Sequence, residues 1–323
     1  MSSGEQVPVA EADPVGCTVV VRRERSGTEL LVLRRVVDGG AAWTAPSGCR
    51  RAGEPAYAAA RRALREETGL EALDVWAVDL SGQWAVFAAE VPDDAVVDLR
   101  DSGHEGYAWL TPDDAAGRIR PDAARSHVAR AAAVPAVRVA FRPLTRADFA
   151  DVVAWQAQPY VARWWSQEAT DLAGAEGHYG PALDGEDPTR MWVAEVNGRS
   201  VGLLQDYRIG DHPEYALLTA RPDAVGMDYL LGEPSWVGSG IGTRMLWAYV
   251  RDVVVPHYPR LREVFAAPDH RNAASLRVLD KLGFTRGLWF DEPQPDGRVD
   301  TVVGCTFEVA RILGTSRPVV TDG

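Results

Sequence analysis

Cysteine is scarce in this 323-residue chain: Cys17, Cys49 and Cys305 stand far apart and are odd in number. That pattern excludes a disulfide framework and points to free thiols in a reducing cytoplasm. Lysine is scarcer still, with Lys281 alone and arginine in its place elsewhere. No apolar run reaches the roughly 18 residues of a spanning helix, so no membrane partner is expected. The opening "MSSGEQVPVAEADP" lacks the basic start and apolar stretch of a signal peptide. The six histidines fall in no pair spaced for zinc.

Positive charge is also in short supply. Lys and Arg number 34 against 46 Asp and Glu, a net charge of −12. The excess is spread over both halves, so neither offers the basic face that nucleic acid binding requires. An acidic surface serves solubility, and it also gathers a cationic substrate.

What is present is an alternation of strand-like and helix-like segments in two parts. In the first, "CTVVVRR" and "ELLVLRR" read as strands around the turn "ERSGT". Residues 55–67 read as a helix stopped by Gly69, "WAVFAAEV" and "GYAWL" as further strands, and "TPDDAAGRI" as a helix capped by Thr111. An Ala-rich stretch broken at Pro135 marks a linker at 126–137. The second part restarts with a strand, "VRVAFRPL", and a capped helix, "TRADFADVVAWQ". Two apolar strands then flank Asn197-Gly198, a strong hairpin signal. The strand "AVGMDYLLG" runs into a glycine-rich turn and the helix "RMLWAYVRDVVV"; a strand "EVFAAP", a helix "NAASLRVLDKLGF" and terminal strands follow. The segments 166–190 and 208–226 read as loops. Residues 1–14 and 314–323 read as disordered tails.

Gly238, Gly240 and Gly242 lie between a strand and a helix. Glycines there let backbone N–H groups approach a phosphate, with support from the helix dipole. The same spacing also serves a plain tight turn. It is not the dinucleotide fingerprint, and no Gly-Lys-Ser/Thr follows.

In company with its surroundings, this turn resembles the pyrophosphate loop of GNAT acyltransferases, Gln/Arg-x-x-Gly-x-Gly/Ala. The loop here comprises Val237, Gly238, Ser239, Gly240, Ile241, Gly242 and Thr243, with Val237 departing from the pattern at the first position. Downstream, "PDHRNAASLRVLDKLGF" resembles the second signature of that family and puts Asn272 beside the coenzyme. Within the family, "ARWWSQEA", "VGLLQDY" and "GMDYLLGEPSWVGSGIGT" resemble aminoglycoside 6'-N-acetyltransferases, with siderophore-making lysine N-acyltransferases as the nearest rival. The resemblance implies acetyl-CoA as donor and a small, cationic amine as acceptor. It also implies Asp228 as the acid that contacts or deprotonates that amine, and Trp164, Trp165, Tyr207 and Asp211 on the acceptor side. An ammonium cannot attack a thioester, so a carboxylate in an apolar cleft suits the task. Asp228 equally suits a strand-edge aspartate bonded to backbone amides, and the two tryptophans equally suit core packing. Leu279 stands where many relatives carry a tyrosine that protonates the departing thiolate. A thiol with a pKa of about 8.5 leaves without a dedicated acid.

The stretch "GCRRAGEPAYAAARRALREETGL" resembles the Nudix box, Gly-x5-Glu-x7-Arg-Glu-U-x-Glu-Glu-x-Gly-U with U aliphatic. Gly48, Glu54, Arg62, Leu64, Glu66, Glu67, Gly69 and Leu70 match, and Ala63 alone departs. Residues 63, 66 and 67 share a helix face. Three glutamates there would hold magnesium against a diphosphate. With Ala63, the resemblance implies at most a weak magnesium or manganese site at Gly48, Glu66 and Glu67, with Glu54 and Glu105 near it. A nucleotide or phosphate ligand is the partner this half implies. Glu66 and Glu67 also suit a solvated face, with Arg62 pairing to Glu66 at i+4.

These resemblances imply an α/β (α+β) chain: a degenerate Nudix α/β/α sandwich at 15–125, the linker at 126–137, and a GNAT fold at 138–313 with a central mixed sheet flanked by helices. The function they imply is acetyl transfer from acetyl-CoA to a primary amine of an aminoglycoside-like polyamine, with antibiotic resistance as its setting. Three alternatives stand beside it: an acyltransferase making a siderophore or other metabolite, a Nudix pyrophosphohydrolase with the GNAT part as accessory, and a Nudix module that binds a nucleotide and regulates its neighbour.

Overall fold

A computed structural model describes residues 13–37, 40–100, 102–165, 169–293 and 297–314. The expected disordered tails fall almost wholly outside these. The described residues divide into two compact units. One holds Asp13–Ala136, Gly238–Trp247 and the described part of Val309–Gly323; the other holds Val137–Val237 and Ala248–Glu308.

The first unit is built on strands β1 (Gly16–Glu24), β2 (Thr28–Val37), β3 (Gly40–Thr44), β4 (Ser47–Cys49), β5 (Asp74–Asp79), β6 (Trp84–Glu90) and β7 (Gly106–Leu110). The sheet runs β3-β2-β1-β6-β5, with β4 pairing β1 and β7 pairing β2. β1 and β6 are parallel at its centre. β1 is buried from Gly16 to Arg23, as its run of valines requires of a strand covered on both faces. Helix α1 (Ala56–Thr68) ends at Gly69, whose left-handed backbone (φ 67°) sends its N–H to Arg65 O at 2.9 Å. The α1 residues Ala56, Ala59, Ala60, Ala63 and Leu64 form one buried stripe with helical spacing. The short side chains let the helix lie close to β1 and β4.

Helix α2 (Pro112–Arg118) is capped by Thr111, whose side chain accepts from Asp114 N–H, as expected. Helix α3 (Asp122–Ala132) occupies most of the stretch read as a linker. Alanine-rich sequence is good helix former, and Val128 and Ala131 are buried, so the expected linker shrinks to the few residues after Ala132. Sequence reading also passed over β3, β4 and β5.

The second unit contains strands β8 (Val139–Pro143), β9 (Arg190–Val196), β10 (Arg199–Arg208), β11 (Val225–Leu231), β12 (Glu263–Ala266), β13 (Thr285–Pro293) and β14 (Val299–Glu308), in the order β13-β14-β12-β11-β10-β9-β8. The β9–β10 hairpin turns at Asn197 (φ 52°) and Gly198 (φ 77°), the two positive angles that its tight turn demands. Helix α4 (Phe149–Gln156) follows a capping box of Thr145 and Asp148, and the short α5 (Pro159–Ala162) comes next.

Two segments expected as loops contain helices. Helix α6 (Leu172–Asp184) carries three glycines and Pro181, hence its weak local signal; the Asp171 side chain caps it at Gly174 N–H (2.7 Å), and buried Ala175 and Tyr179 anchor it. Helix α7 (Pro213–Thr219) buries no residue. Leu144, Phe149, Val152, Trp155, Tyr179, Val193 and Leu203 form a core between α4, α6 and the sheet. Helix α8 (Ile241–Tyr249) continues through a π-type turn (Val250–Val254) into α9 (Val255–His257), and α10 (Ala273–Lys281) and α11 (Val309–Ile312) complete the helices.

One buried carboxylate organises the sheet interior. Asp206, without solvent exposure, accepts from Arg190 Nε (2.8 Å), Trp192 Nε1 (2.9 Å), Tyr249 OH (2.6 Å) and Tyr258 OH (2.8 Å). A charge this deep is tolerated because it is paired and fully hydrogen-bonded.

Candidate functional site

The strands β11 and β12 are parallel, and they pair only at Val225–Val264 and Gly226–Phe265. Beyond Gly226 they part, while β11 stays paired to β10 as far as Leu231. The gap opens a cavity of about 270 Å³. Its walls are the residues immediately past the split: Met227, Asp228 and Tyr229 from β11, and Ala266, Ala267 and Pro268 from the β12 side. Trp164, Trp165, Asn272, Ser275, Glu292, Asp300 and Val302 also line it.

Asp228 is half-buried there. It lies directly opposite Gln205 in the β10–β11 register, and Gln205 Nε2 donates to Asp228 Oδ2 at 2.9 Å. Burial pushes its carboxyl above the usual range, while hydrogen bonds from Gln205 and Tyr207 pull it back. The donors are side chains, not the strand-edge backbone amides of the structural alternative.

Three more acids surround the cavity. Asp269 is committed to Arg271 (2.7 Å), which holds it below the usual range. Glu292 faces Asp300 across β13 and β14. Its carboxyl is pushed up to about 7, by burial first and then by Asp228 and Asp300. None of the described residues lining the cavity is Lys or Arg.

The aromatic residues expected on the acceptor side divide. Trp164 and Trp165 reach the cavity, and Trp165 also packs against the core below α4 and α6. Tyr207 stands behind Asp228, with its ring edge-on to His212 (4.9 Å) and Tyr215 (6.1 Å). Asp211 is exposed in a 3-10 turn and does not line the cavity.

Of the loop residues, Gly238 and Gly240 hold left-handed backbones with φ of 79° and 88°. Ile241, Gly242 and Thr243 supply first-turn amides of α8, which lack a helical carbonyl four residues back. Ser239 Oγ approaches Ile241 N–H at 3.4 Å. The exposed Val237 sends its own N–H to Pro234 O (3.1 Å), so that amide is already engaged. Asn272 is the N-cap of α10: its Oδ1 accepts from Ser275 N–H at 3.1 Å. Leu279 is fully buried on the same helix.

Gln205, Tyr229, Ser275, Glu292 and Asp300 escaped sequence reading. Tyr229 OH and Ser275 Oγ share a 2.6 Å hydrogen bond between β11 and α10. Gln205 is brought opposite Asp228 by the pairing of β10 with β11, whose connection through α7 leaves that register unmarked in the sequence. The acids of β13 and β14 were equally hidden, since their pairing depends on a bulge between Arg286 and Trp289.

In the first unit the box residues are gathered into an ion-pair network. Arg62 grips Glu54 with two hydrogen bonds (2.7 and 2.8 Å), donates to Glu66 (2.8 Å) and reaches Cys49 O (2.8 Å). Arg51 adds a second partner to Glu66 (3.1 Å). Glu67 pairs with His104, whose buried Nδ1 has no hydrogen-bond partner among the described residues. Ala63 is buried, its Cβ 3.2 Å from where a Cβ on Gly48 would stand. Glu105 is exposed. Among the described residues no group of three or more His, Cys, Asp or Glu is placed to hold a metal ion. Two carboxylates already held by cationic or imidazole partners do not fit magnesium, which demands near-octahedral oxygen ligands.

Comparison with known proteins separates the two halves. The family model for the acetyltransferase (GNAT) domain matches residues 145–291, and the NUDIX domain model matches residues 13–131. The chain carries a GNAT acetyltransferase domain and a Nudix domain. The enzyme is an acyltransferase, similar to aminoglycoside 6'-N-acetyltransferases. Aminoglycoside N(6')-acetyltransferase type 1 of Klebsiella pneumoniae is 26% identical over 151 residues, covering 46% of this chain and 74% of the relative. Lysine N-acyltransferase MbtK of Mycolicibacterium paratuberculosis is 26% identical over 141 residues, covering 43% and 62%. A solved aminoglycoside acetyltransferase AAC(6')-Ib in complex with coenzyme A is 25% identical, with a TM-score of 0.46 over 53% of this chain and 95% of the other. Among the described residues no helix is long and apolar enough to cross a membrane.

Proposed function

We propose that the GNAT domain moves an acetyl group from acetyl-CoA to a primary amine of a small, cationic, aminoglycoside-like acceptor. The observation that carries this reading is the half-buried Asp228 at the split between β11 and β12, in a cavity lined by further carboxylates and, among the described residues, by no Lys or Arg. Acetyl-CoA supplies the activated thioester. The amides around Gly238–Thr243 suit its phosphates, because the glycine backbones there adopt angles that side chains disfavour. The edge of β11 past Gly226 suits an extended, amide-bearing arm. Asp228 holds the acceptor ammonium, and Trp164 and Trp165 screen it from water. Bringing amine and carbonyl into line supplies much of the rate. Free thiol released from acetyl-CoA, measured against kanamycin, ribostamycin, lysine and neutral primary alcohols, tests this. Turnover confined to cationic amines supports it, and silence with every amine sinks it.

The similarity to a lysine N-acyltransferase favours a second reading, with the side-chain amine of lysine as acceptor. The same assay separates the two.

For the Nudix domain we propose a folded shell, slow or silent as a pyrophosphohydrolase, that retains room for a phosphate or nucleotide. The support is Ala63 in the buried stripe and the engagement of Glu66 and Glu67 by protein partners. The test is hydrolysis of nucleoside diphosphate derivatives with magnesium or manganese. Robust wild-type turnover abolished by Glu67→Gln would overturn this reading; silence in the wild type supports it.

A further inference from the structure

The reading above leaves Glu292 without a task. It lies near the end of β13, directly opposite Asp300 of β14, and both line the cavity that holds Asp228. Like charges opposite one another across a sheet repel, so an acid pair in this position works against the fold unless a proton or a cation intervenes. No hydrogen bond or ion pair from the described residues relieves Glu292: what acts on its carboxyl is burial, Asp228 from β11 and Asp300 from β14. The remaining titratable groups that face it are the phenols of Tyr207 on β10 and Tyr215 on α7, both pushed above the usual range by burial first, then by Asp228, with Glu292 adding to the same effect. Burial raises Asp228 as well, but there Gln205 and Tyr207 hydrogen-bond the carboxylate and oppose the shift, whereas nothing opposes it at Glu292 among the described residues.

The two acids are therefore suited to different work. A group that only holds an ammonium must stay ionised. A group that removes a proton and gives it up again works best with a proton affinity near the operating pH. The raised carboxyl at about 7 is that of Glu292.

We propose that Glu292 is the general base of the transfer, taking the proton of the acceptor ammonium while Asp228 holds that ammonium in place. The assignment rests on the amine-acetylation reading above. In the step, one N–H bond of the ammonium breaks and its proton passes to the Glu292 carboxylate, leaving the electron pair on nitrogen. That pair forms the C–N bond at the thioester carbonyl carbon, and the C–S bond breaks with its electrons on sulfur. The second nitrogen proton ends on the departing sulfur. Glu292 then returns its proton to water, so the net products are the amide, the free thiol and one proton.

The experiment combines Glu292→Gln and Glu292→Asp with pH profiles on the fastest acceptor among kanamycin, ribostamycin and lysine, calorimetry with acetyl-CoA, and thermal melting. The wild type should show kcat/KM rising through pH 7. Glu292→Gln should lower kcat about 100-fold, the scale of a lost general base, and abolish the rise, with acetyl-CoA affinity within about twofold of wild type. Glu292→Asp should keep the rise at a lower kcat. Melting gives a readout independent of turnover: a carboxyl raised in the folded state destabilises as pH climbs through it. The Tm of Glu292→Gln should therefore gain on wild type between pH 5.5 and 8.5. A Glu292→Gln enzyme with wild-type kcat and an unaltered rise overturns this assignment alone. A wild type that acetylates no amine overturns the reading beneath it as well.

Discussion

Gln205 and Asp228 stand directly across β10 and β11, and the Gln205 amide donates to the Asp228 carboxylate at 2.9 Å. A donor to the charged form keeps an acid ionised against the pull of burial. Gln205→Leu should therefore move Asp228 further above the usual carboxylate range. If Asp228 holds the acceptor ammonium, the acceptor KM of Gln205→Leu should rise several-fold over wild type at the lower of two working pH values and move back toward wild type at the higher, because a raised carboxyl is less ionised at the lower pH. KM measured at the two pH values decides it, and an equal effect at both contradicts the role.

The loop glycines give a second expectation. At Gly240 the backbone angle of 88° is one that L side chains rarely adopt, and Gly238 is alike at 79°. A left-handed residue with a β-carbon costs about 1–2 kcal/mol. Gly238→Ala, where a Cβ meets nothing within 4 Å, isolates the backbone effect. Its acetyl-CoA affinity by calorimetry should fall about tenfold, and Gly240→Val should fall further. Unchanged affinity in both would remove the loop from the donor site.

Much of this architecture was legible in the sequence, and the gaps have physical causes. The buried β1 announces itself through its valines and the β9–β10 hairpin through Asn197-Gly198, because local composition dictates those elements. Helix α6 was hidden because its glycines and Pro181 oppose the helix that Tyr179 and Ala175 stabilise through tertiary burial. Most of the stretch read as a linker is helix α3: alanine favours a helix there, and what residue spacing did not reveal is that Val128 and Ala131 are buried. Asp228 was singled out through family resemblance, and it lines the cavity. Glu292 and Asp300 join it there only through strand pairing that residue spacing does not encode.

The Nudix network makes a pH-dependent expectation. Hydrogen bonds from Arg62 hold the Glu54 carboxyl well below its ordinary value, at about 2. A lowered acid contributes stability that is fully present above its unfolded value, roughly 4.3, and is lost as pH falls toward 2. The urea midpoint of the wild type should fall between pH 5 and pH 3 more steeply than that of Glu54→Gln. Parallel falls in the two proteins would mean that the pair adds nothing to the fold.

The central claim is that the Asp228 carboxylate engages the amine acceptor of a GNAT acetyltransferase. The most direct measurement compares the wild type with Asp228→Asn, an exchange that keeps shape and removes charge. It takes kcat/KM for the best cationic amine alongside the acetyl-CoA dissociation constant. In Asp228→Asn, kcat/KM should fall at least about 100-fold, or about 2.7 kcal/mol of transition-state stabilisation, with acetyl-CoA affinity unchanged. Equal kcat/KM in the two proteins would contradict it.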